Sequence, residues 1–490
     1  MESQPLDNVT CDPELARDKV IENEEDFIKA DWNGPSDPAN PRNWSSGKKL
    51  VQVMLVSGFT LYSNLAAVMF APGAQDLVEE FGIASKTVAY MTVTIYLLGF
   101  CIGPLVLSSL SETYGRLIVY HICNLFYIGF TVGCALSTDT GMFLAFRLLA
   151  GIAASSPMSI GGGTIADLHV EAERGKAMAI FGMGPLLGPV IGPVIGGFVS
   201  QYIGWRWTFW LNLIFSCTIS LVAVAFLRET YQPILLDRKA ARLRKETGKP
   251  ALYPRISTNP GLAPSQVLRH SMMRRTKMIF LSPIVFLISI YCAFMFGLLY
   301  LLFTTFPSVF EETYGWGPGI SGLAYLGLGI GMIFSIPLFG LLSDNLLKQP
   351  RGGTVSRPEL RLILMMWCSP LVPVGFIWYG WSARFQTHWI IPILGTGCIG
   401  ISAFLIMMPA QLYLVDSFGT EASASALAAN TVLRSLFAAF LPLAGSSMYD
   451  RLGLGWGNTL LGFIALAFVP VPWLFFKYGE YLRARFPVNY

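Results

Sequence analysis

The sequence predicts an all-α membrane protein, with twelve transmembrane helices arranged as two pseudo-symmetric six-helix bundles. Three observations predict it. Apolar residues make up 53% of the 490-residue chain and charged residues only 13%, more apolar surface than a soluble chain of this length can hide. Runs of about 20 residues with at most a single charge, each enough to cross roughly 30 Å of hydrocarbon, recur from one end of the chain to the other. One long hydrophilic stretch, 228–277, divides those runs six and six.

The runs fall at 50–71, 88–110, 117–137, 141–165, 177–200, 206–227, 279–306, 319–342, 361–381, 388–413, 423–447 and 456–476. The domains follow: a cytosolic tail over 1–49, an N-terminal bundle over 50–227, a linker loop over 228–277, a C-terminal bundle over 278–477 and a cytosolic tail over 478–490. The first tail is polar and lacks the apolar core and cleavage site of a secretory signal, so the first helix is expected to target the membrane. Lys and Arg concentrate in alternate loops: Arg42, Lys48 and Lys49 before helix 1, Arg116 after helix 2, Arg174 and Lys176 after helix 4, the whole of 228–277, then Lys348, Arg351 and Arg357. The positive-inside rule puts both termini and the linker in the cytosol. The sequons at Asn8 and Asn43 then lie on the unglycosylated side. The membrane is that of the cell surface or of the vacuole.

An internal echo supports duplication. GPLVLSSLSETYGR (Gly103–Arg116) follows helix 2, and GLLSDN (Gly340–Asn345) stands at the matching place after helix 8. Each ends a helix with small residues and sets an acid, Glu112 or Asp344, at the cytosolic edge.

Helix 5 carries GPLLGPVIGPVIGG, Gly184–Gly197. Its glycines at Gly184, Gly188, Gly192 and Gly196 recur every fourth residue, with Pro193 and Gly197 alongside. Four residues advance about 400° on a helix, so these glycines share one face. Small residues there admit another helix closely, and the prolines bend the segment where neighbours repair the lost hydrogen bonds. Two readings follow: tight static packing, or a bent surface on which the bundles rock.

These motifs carry a family resemblance. The helix 5 stretch resembles the antiporter motif of the major facilitator superfamily, and Gly103–Arg116 is similar to that superfamily's loop 2–3 motif. The form S-E-x-x-G-R, together with FRLLAGIAAS (Phe146–Ser155), IADLHVEAERGKAM (Ile165–Met178), WRWTFWLNLI (Trp205–Ile214), RETYQPILLDRKA (Arg228–Ala240) and the stretch Tyr413–Leu443, resembles the fungal twelve-helix drug:proton antiporters. The chain departs from the pattern at Ser109, where the family has Pro, at Leu117, where it has a second basic residue, and at Ala150, where it often has Gln. The departures bear on the cytosolic latch, not on the fold.

The resemblance implies a carrier exporting a drug, toxin or secondary metabolite in exchange for protons. Glu112, Arg116, Asp167, Arg174 and Asp344 would gate it, and Arg147 would couple protons. On the residues alone, Glu112 and Arg116 are either an exposed pair of small value or a latch that opens and closes. Arg147 either snorkels to the outer surface or faces a cavity. Arg434 in helix 11 lines the cavity or sits at a cytosolic edge.

Polar and aromatic residues at mid-helix mark the expected cavity: Asn64, Tyr96, Asn124, Asn212, Tyr291, Tyr300, Gln411, Asn430 and Arg434. Such a lining suits a bulky, mostly apolar, neutral or weakly anionic molecule, or else serves helix packing. No Asp or Glu lies deep in any predicted helix, which lowers the case for a strong cation as substrate. In place of an acid, helix 1 offers Tyr62, Ser63 and Asn64.

Other chemistries find no support. GxxxxGK[ST] is absent, His121, His169, His270 and His388 are too dispersed for a metal site, and seven of the eight cysteines sit in or at helices as packing residues. No enzyme, cofactor, metal or nucleic-acid partner is expected; the partners are a small molecule, protons and the bilayer, and the chain is expected to be a monomer. Two alternatives stay open: proton-coupled uptake of a small nutrient or carboxylate, and a scaffold or receptor that has lost transport.

Overall fold

The computed structural model describes residues 29–170, 174–247, 253–254, 282–347 and 358–485. Twelve helical spans are long and apolar enough to cross a membrane: α1 (Ser46–Glu80), α2 (Lys86–Tyr114), α3 (Arg116–Ala135), α4 (Thr140–Leu168), α5 (Arg174–Ile203), α6 (Arg206–Phe226), α7 (Pro283–Tyr314), α8 (Pro318–Leu342), α9 (Pro358–Arg384), α10 (Ile390–Phe418), α11 (Ala426–Gly445) and α12 (Ser447–Leu482). Each overlaps one of the runs read from the sequence. A difference with a clear physical cause is at the end of α7. The sequence reading stops it at Phe306, before Pro307, but Pro307 lies inside a helix that continues to Tyr314. Phe306 and Phe310 are fully buried there, and packing of that kind outweighs one lost backbone donor in a bundle.

Burial repeats between the two sets of six for some matching spans and not for others, α2 being 56% buried and α8 33%. The apolar windows of α1 and α7, first in each set of six, are 83% and 78% buried; α4 and α10 match at 56%, and α6 and α12 at 28% and 33%. So α1 and α7 run through the centre, while α6 and α12 face outward. Leu125, Leu221, Val224 and Phe463 stand exposed on this outer surface, as lipid-facing residues should.

The chain before α1 returns to the linker. Lys29–Ala30 pairs in parallel with Tyr253–Pro254. Lys239, on the linker helix Gln232–Thr247, donates to the Asp31 carbonyl at 2.8 Å, to Asn33 at 2.9 Å and to Asp37 at 3.3 Å. Backbone N–H groups of Asn33 and Ala39 also donate to the Asp37 carboxylate, and these, with Lys239, hold its pKa below the usual carboxylate value.

The two bundles meet along α5 and α8. Glycines of α5 face α1: a Cβ on Gly188 would lie 2.8 Å from the Leu65 amide nitrogen, and one on Gly184 2.8 Å from that of Leu61. A Cβ on Gly192 would approach Leu65 and Met69, and one on Gly196 would collide with the Met69 carbonyl. The other side of α5 meets the second bundle. A Cβ on Gly322 of α8 would lie 2.6 Å from the Pro193 carbonyl, and one on Gly197 would strike that of Pro318. Gln201 accepts from the Gly319 amide at 2.8 Å. On the face away from the termini, Lys86 of α2 pairs with Asp450 of α12 at 2.6 Å.

Candidate functional site: two buried arginines and a charged junction

Arg147 is 1% exposed, so it does not snorkel to the surface. Its Nη1 donates to the Ala66 carbonyl at 3.0 Å and its Nε to the Thr92 carbonyl at 3.4 Å. Ala66 lies in the last turn of the helix Ser46–Val68, where carbonyls lack intrahelical partners and the helix dipole favours a cation. The guanidinium also stands 4.8 Å from the Tyr96 ring centre, with Phe209 and Phe70 at 5.5 and 5.8 Å. Nη2 has no partner and borders a small cavity with Tyr127, Thr131, Cys134 and Asn212.

Three more of the expected cavity residues join this arginine in a polar network. Tyr96 donates to the Ser63 carbonyl at 2.9 Å. Tyr62 donates to Asn124 at 2.5 Å, and Tyr127 to Asn212 at 2.7 Å. The Tyr62 and Tyr127 rings stack at 5.0 Å. Asn212 in turn donates to the Tyr62 carbonyl at 3.3 Å. This ties α1, α2, α3, α4 and α6 together. Asn64 stands apart, donating to its own helix at Thr60 beneath Gly188.

The second bundle gathers Tyr300, Asn430 and Arg434. Arg434 is 9% exposed, so it does not sit at a cytosolic edge. Its guanidinium lies 4.5 Å from the Phe296 ring centre, and Phe296 and Tyr300 rings are 5.0 Å apart. Its Nε has no partner, and both polar atoms of the Asn430 amide lack one apart from the weak Cys292 thiol. Tyr291 turns elsewhere, to the Ser369 hydroxyl at 2.8 Å and the Phe468 ring at 5.6 Å. Gln411 is half-buried on α10.

The third site is the junction at the termini-side ends of α2, α3 and α4. Arg116 pairs with Asp167 at 3.4 Å, donates to Ser111 at 2.7 Å and stacks 4.6 Å from the Tyr231 ring centre. Glu112 contributes attraction to Arg116 at longer range. Arg174 donates to the His169 and Ala166 carbonyls at 3.1 and 3.3 Å. The sequence pairs Glu112 with Arg116; the structure gives Asp167 as the closer partner, all within one bundle. Asp344 falls in the second bundle, and its side chain lies outside the described residues.

Sequence reasoning assigned no role to Glu229. Its buried carboxylate accepts from the amides of Arg116 at 3.0 Å, Leu117 at 3.1 Å, Thr230 at 3.0 Å and Tyr231 at 2.9 Å. It caps the start of α3, where the dipole favours an anion. Gly115 precedes that start at φ +99°, and a side chain there would meet the Glu229 carboxylate. The signal was the acid in RETYQP, directly after a span. Ser289, fully buried with an unpartnered hydroxyl, was also missed, as was Tyr127.

Residues 54–442 match the sequence profile described as Major Facilitator Superfamily. The MFS transporter prlG of Fungal sp. is 69% identical over 472 residues, 96% of this chain and 99% of that relative. The Trichosetin biosynthesis cluster MFS transporter of Gibberella fujikuroi is 51% identical over 461 residues, 94% of this chain and 89% of that one. The crystal structure of a D-xylose-proton symporter superposes with a TM-score of 0.64 at 17% identity, covering 87% of this chain and 97% of the other, a likeness of fold.

Proposed function

The chain belongs to the Major Facilitator Superfamily, a family of multi-pass membrane transporters and not enzymes, and from that membership we propose that it exports a small organic compound in exchange for protons by alternating access. The observation that carries this reading is the position of α5. Its ladder of glycines, Gly184 to Gly196, lies against α1 of its own bundle, while Val190, Pro193 and Gly197 on the other side meet Gly329, Gly322 and Pro318 of α8 in the second bundle. An interface of backbone and small side chains lets two bundles slide and rock without unlocking large side chains. The relative from a biosynthesis cluster favours export of a metabolite over uptake of a nutrient.

In this reading both termini lie in the cytosol, and the chain works as a monomer. Arg116, Asp167, Glu112 and Arg174, with Asp344 opposite, form the cytosolic gate; the Lys86–Asp450 pair closes the outer face. Arg147 holds α1 and α2 through their carbonyls, so a proton-linked shift of either helix reaches the other through it. The mid-membrane polar residues of the two bundles bind the substrate.

The test is accumulation of a panel of fluorescent hydrophobic compounds in transporter-depleted yeast, with and without the chain, before and after a protonophore. Lower accumulation that the protonophore abolishes is the expected result. Higher accumulation in cells carrying the chain overturns export.

A further inference from the structure

Arg434 differs from every other cation buried in the described spans. At membrane depth an unpaired guanidinium is costly and is normally offset by acids, carbonyls or water. Arg147 obtains carbonyls and Arg116 an acid. Among the described residues Arg434 forms no ion pair; its guanidinium lies against the Phe296 ring, with only the neutral Cys292 thiol and Tyr300 hydroxyl as further polar neighbours. No acid of the spans can reach it from mid-helix, because every Asp and Glu in the twelve spans lies within four residues of a span end.

Its surroundings repeat the deficit. Asn430 lies one turn earlier on α11, so both side chains share a face; its amide is 2% exposed with nitrogen and oxygen without strong partners. Across from them on α7, Cys292 meets the Asn430 amide, Phe296 lies against Arg434, and Tyr300 lies beside Phe296. Buried polar groups are seldom left unsatisfied. One cation and one amide beside two aromatic rings make a site built for a group that accepts hydrogen bonds and carries negative charge.

We propose that the substrate is an organic acid in its ionised form, with its anionic group on Arg434 and Asn430 and its apolar body against Phe296 and Tyr300. The proposal rests on the transport reading above and narrows it to a chemical class. An anion supplies what the neighbouring spans lack, and a neutral compound of the same shape would leave the guanidinium uncompensated.

The experiment compares two probes of one skeleton, pyrenebutyrate and its methyl ester, by fluorescence titration of the purified full chain in nanodiscs against empty nanodiscs. The acid is expected to bind at least 10-fold more tightly than the ester. Arg434→Gln is expected to remove that preference, and Arg434→Lys to keep part of it. Equal binding of the two probes, binding of neither above the empty nanodiscs, or a preference that survives Arg434→Gln overturns the proposal. The wild-type comparison stands even where the Gln variant fails to fold. Failure of the export reading shows separately: an acid bound with this preference but not expelled from cells leaves the site in place and removes export.

Discussion

The two bundles treat a buried arginine in opposite ways. In the first, Arg147 is enclosed by helix carbonyls and three aromatic rings, beside hydroxyl–amide bonds that join α1, α3 and α6. In the second, the Arg434 Nε and both polar atoms of the Asn430 amide lack oxygen or nitrogen partners. The sequence gives both as single charges in apolar helices. The contrast teaches that a buried charge is read by what completes its hydrogen bonds: carbonyls of α1 and α2 meet the first arginine at Nη1 and Nε, leaving Nη2 without a partner, whereas the second, on our proposal, is completed by a ligand.

That contrast breaks most directly on stability. Arg147→Gln strands the Ala66 and Thr92 carbonyls and is expected to cost about 1–3 kcal/mol, the range for leaving buried acceptors unpaired. Arg434→Gln removes a charge that the protein does not itself compensate, so stability is expected to stay level or rise while export falls at least 10-fold. Thermal melts of the detergent-solubilised variants decide it; a severe loss in Arg434→Gln with little change in Arg147→Gln reverses the assignment.

The next effect concerns the close packing of α5 on α1 behind the joint with α8. Gly188→Val pushes a side chain onto the α1 backbone and is expected to cost about 1–3 kcal/mol, as overpacking does, and to stop export. At Gly182 of the same helix a Cβ would meet nothing nearer than 3.9 Å, so Gly182→Ala is expected to export normally. Equal behaviour of the two variants in cells would remove the special status of the ladder.

Glu229→Ala tests whether the first bundle depends on its caps. Loss of the carboxylate from four amides is expected to cost about 1–2 kcal/mol, with faster hydrogen exchange confined to the start of α3. Unchanged exchange at Arg116 and Leu117 would contradict that.

The smallest effect is at the tail. Because Asp37 titrates below its ordinary value, its contribution is complete above the unfolded value of about 3.9 and is lost as pH falls through the lower folded value. Exchange protection at Asn33 and Ala39 is therefore expected to hold from pH 7 to about 4.5 and to fade below about 4. Fading near pH 6 would show that another group governs the contact.

What the sequence made legible was whatever depends on runs and spacing. Twelve apolar stretches, the break at 228–277 and the glycine ladder of α5 are one-dimensional signals, and the structure sets the ladder against α1 and Gly197 against α8 as small residues allow. The end of α7 was misread at Pro307, although the same tolerance for proline had been granted to α5. Glu229 was illegible as a cap because its partners, Arg116 and Leu117, lie 113 and 112 residues away. Arg147 and Arg434 were recognised as unusual, but only three-dimensional neighbours separate a charge that is satisfied from one that is not.

The claim that the bundles rock is tested most directly across the outer face. Spin labels at Lys86→Cys and Asp450→Cys, in a background without other reactive cysteines, report the distance between α2 and α12. Alternating access predicts two distance populations, a short one matching the closed pair and a longer one whose share changes when an exported compound is added. A single short distance, unmoved by any compound the cells expel, would contradict it.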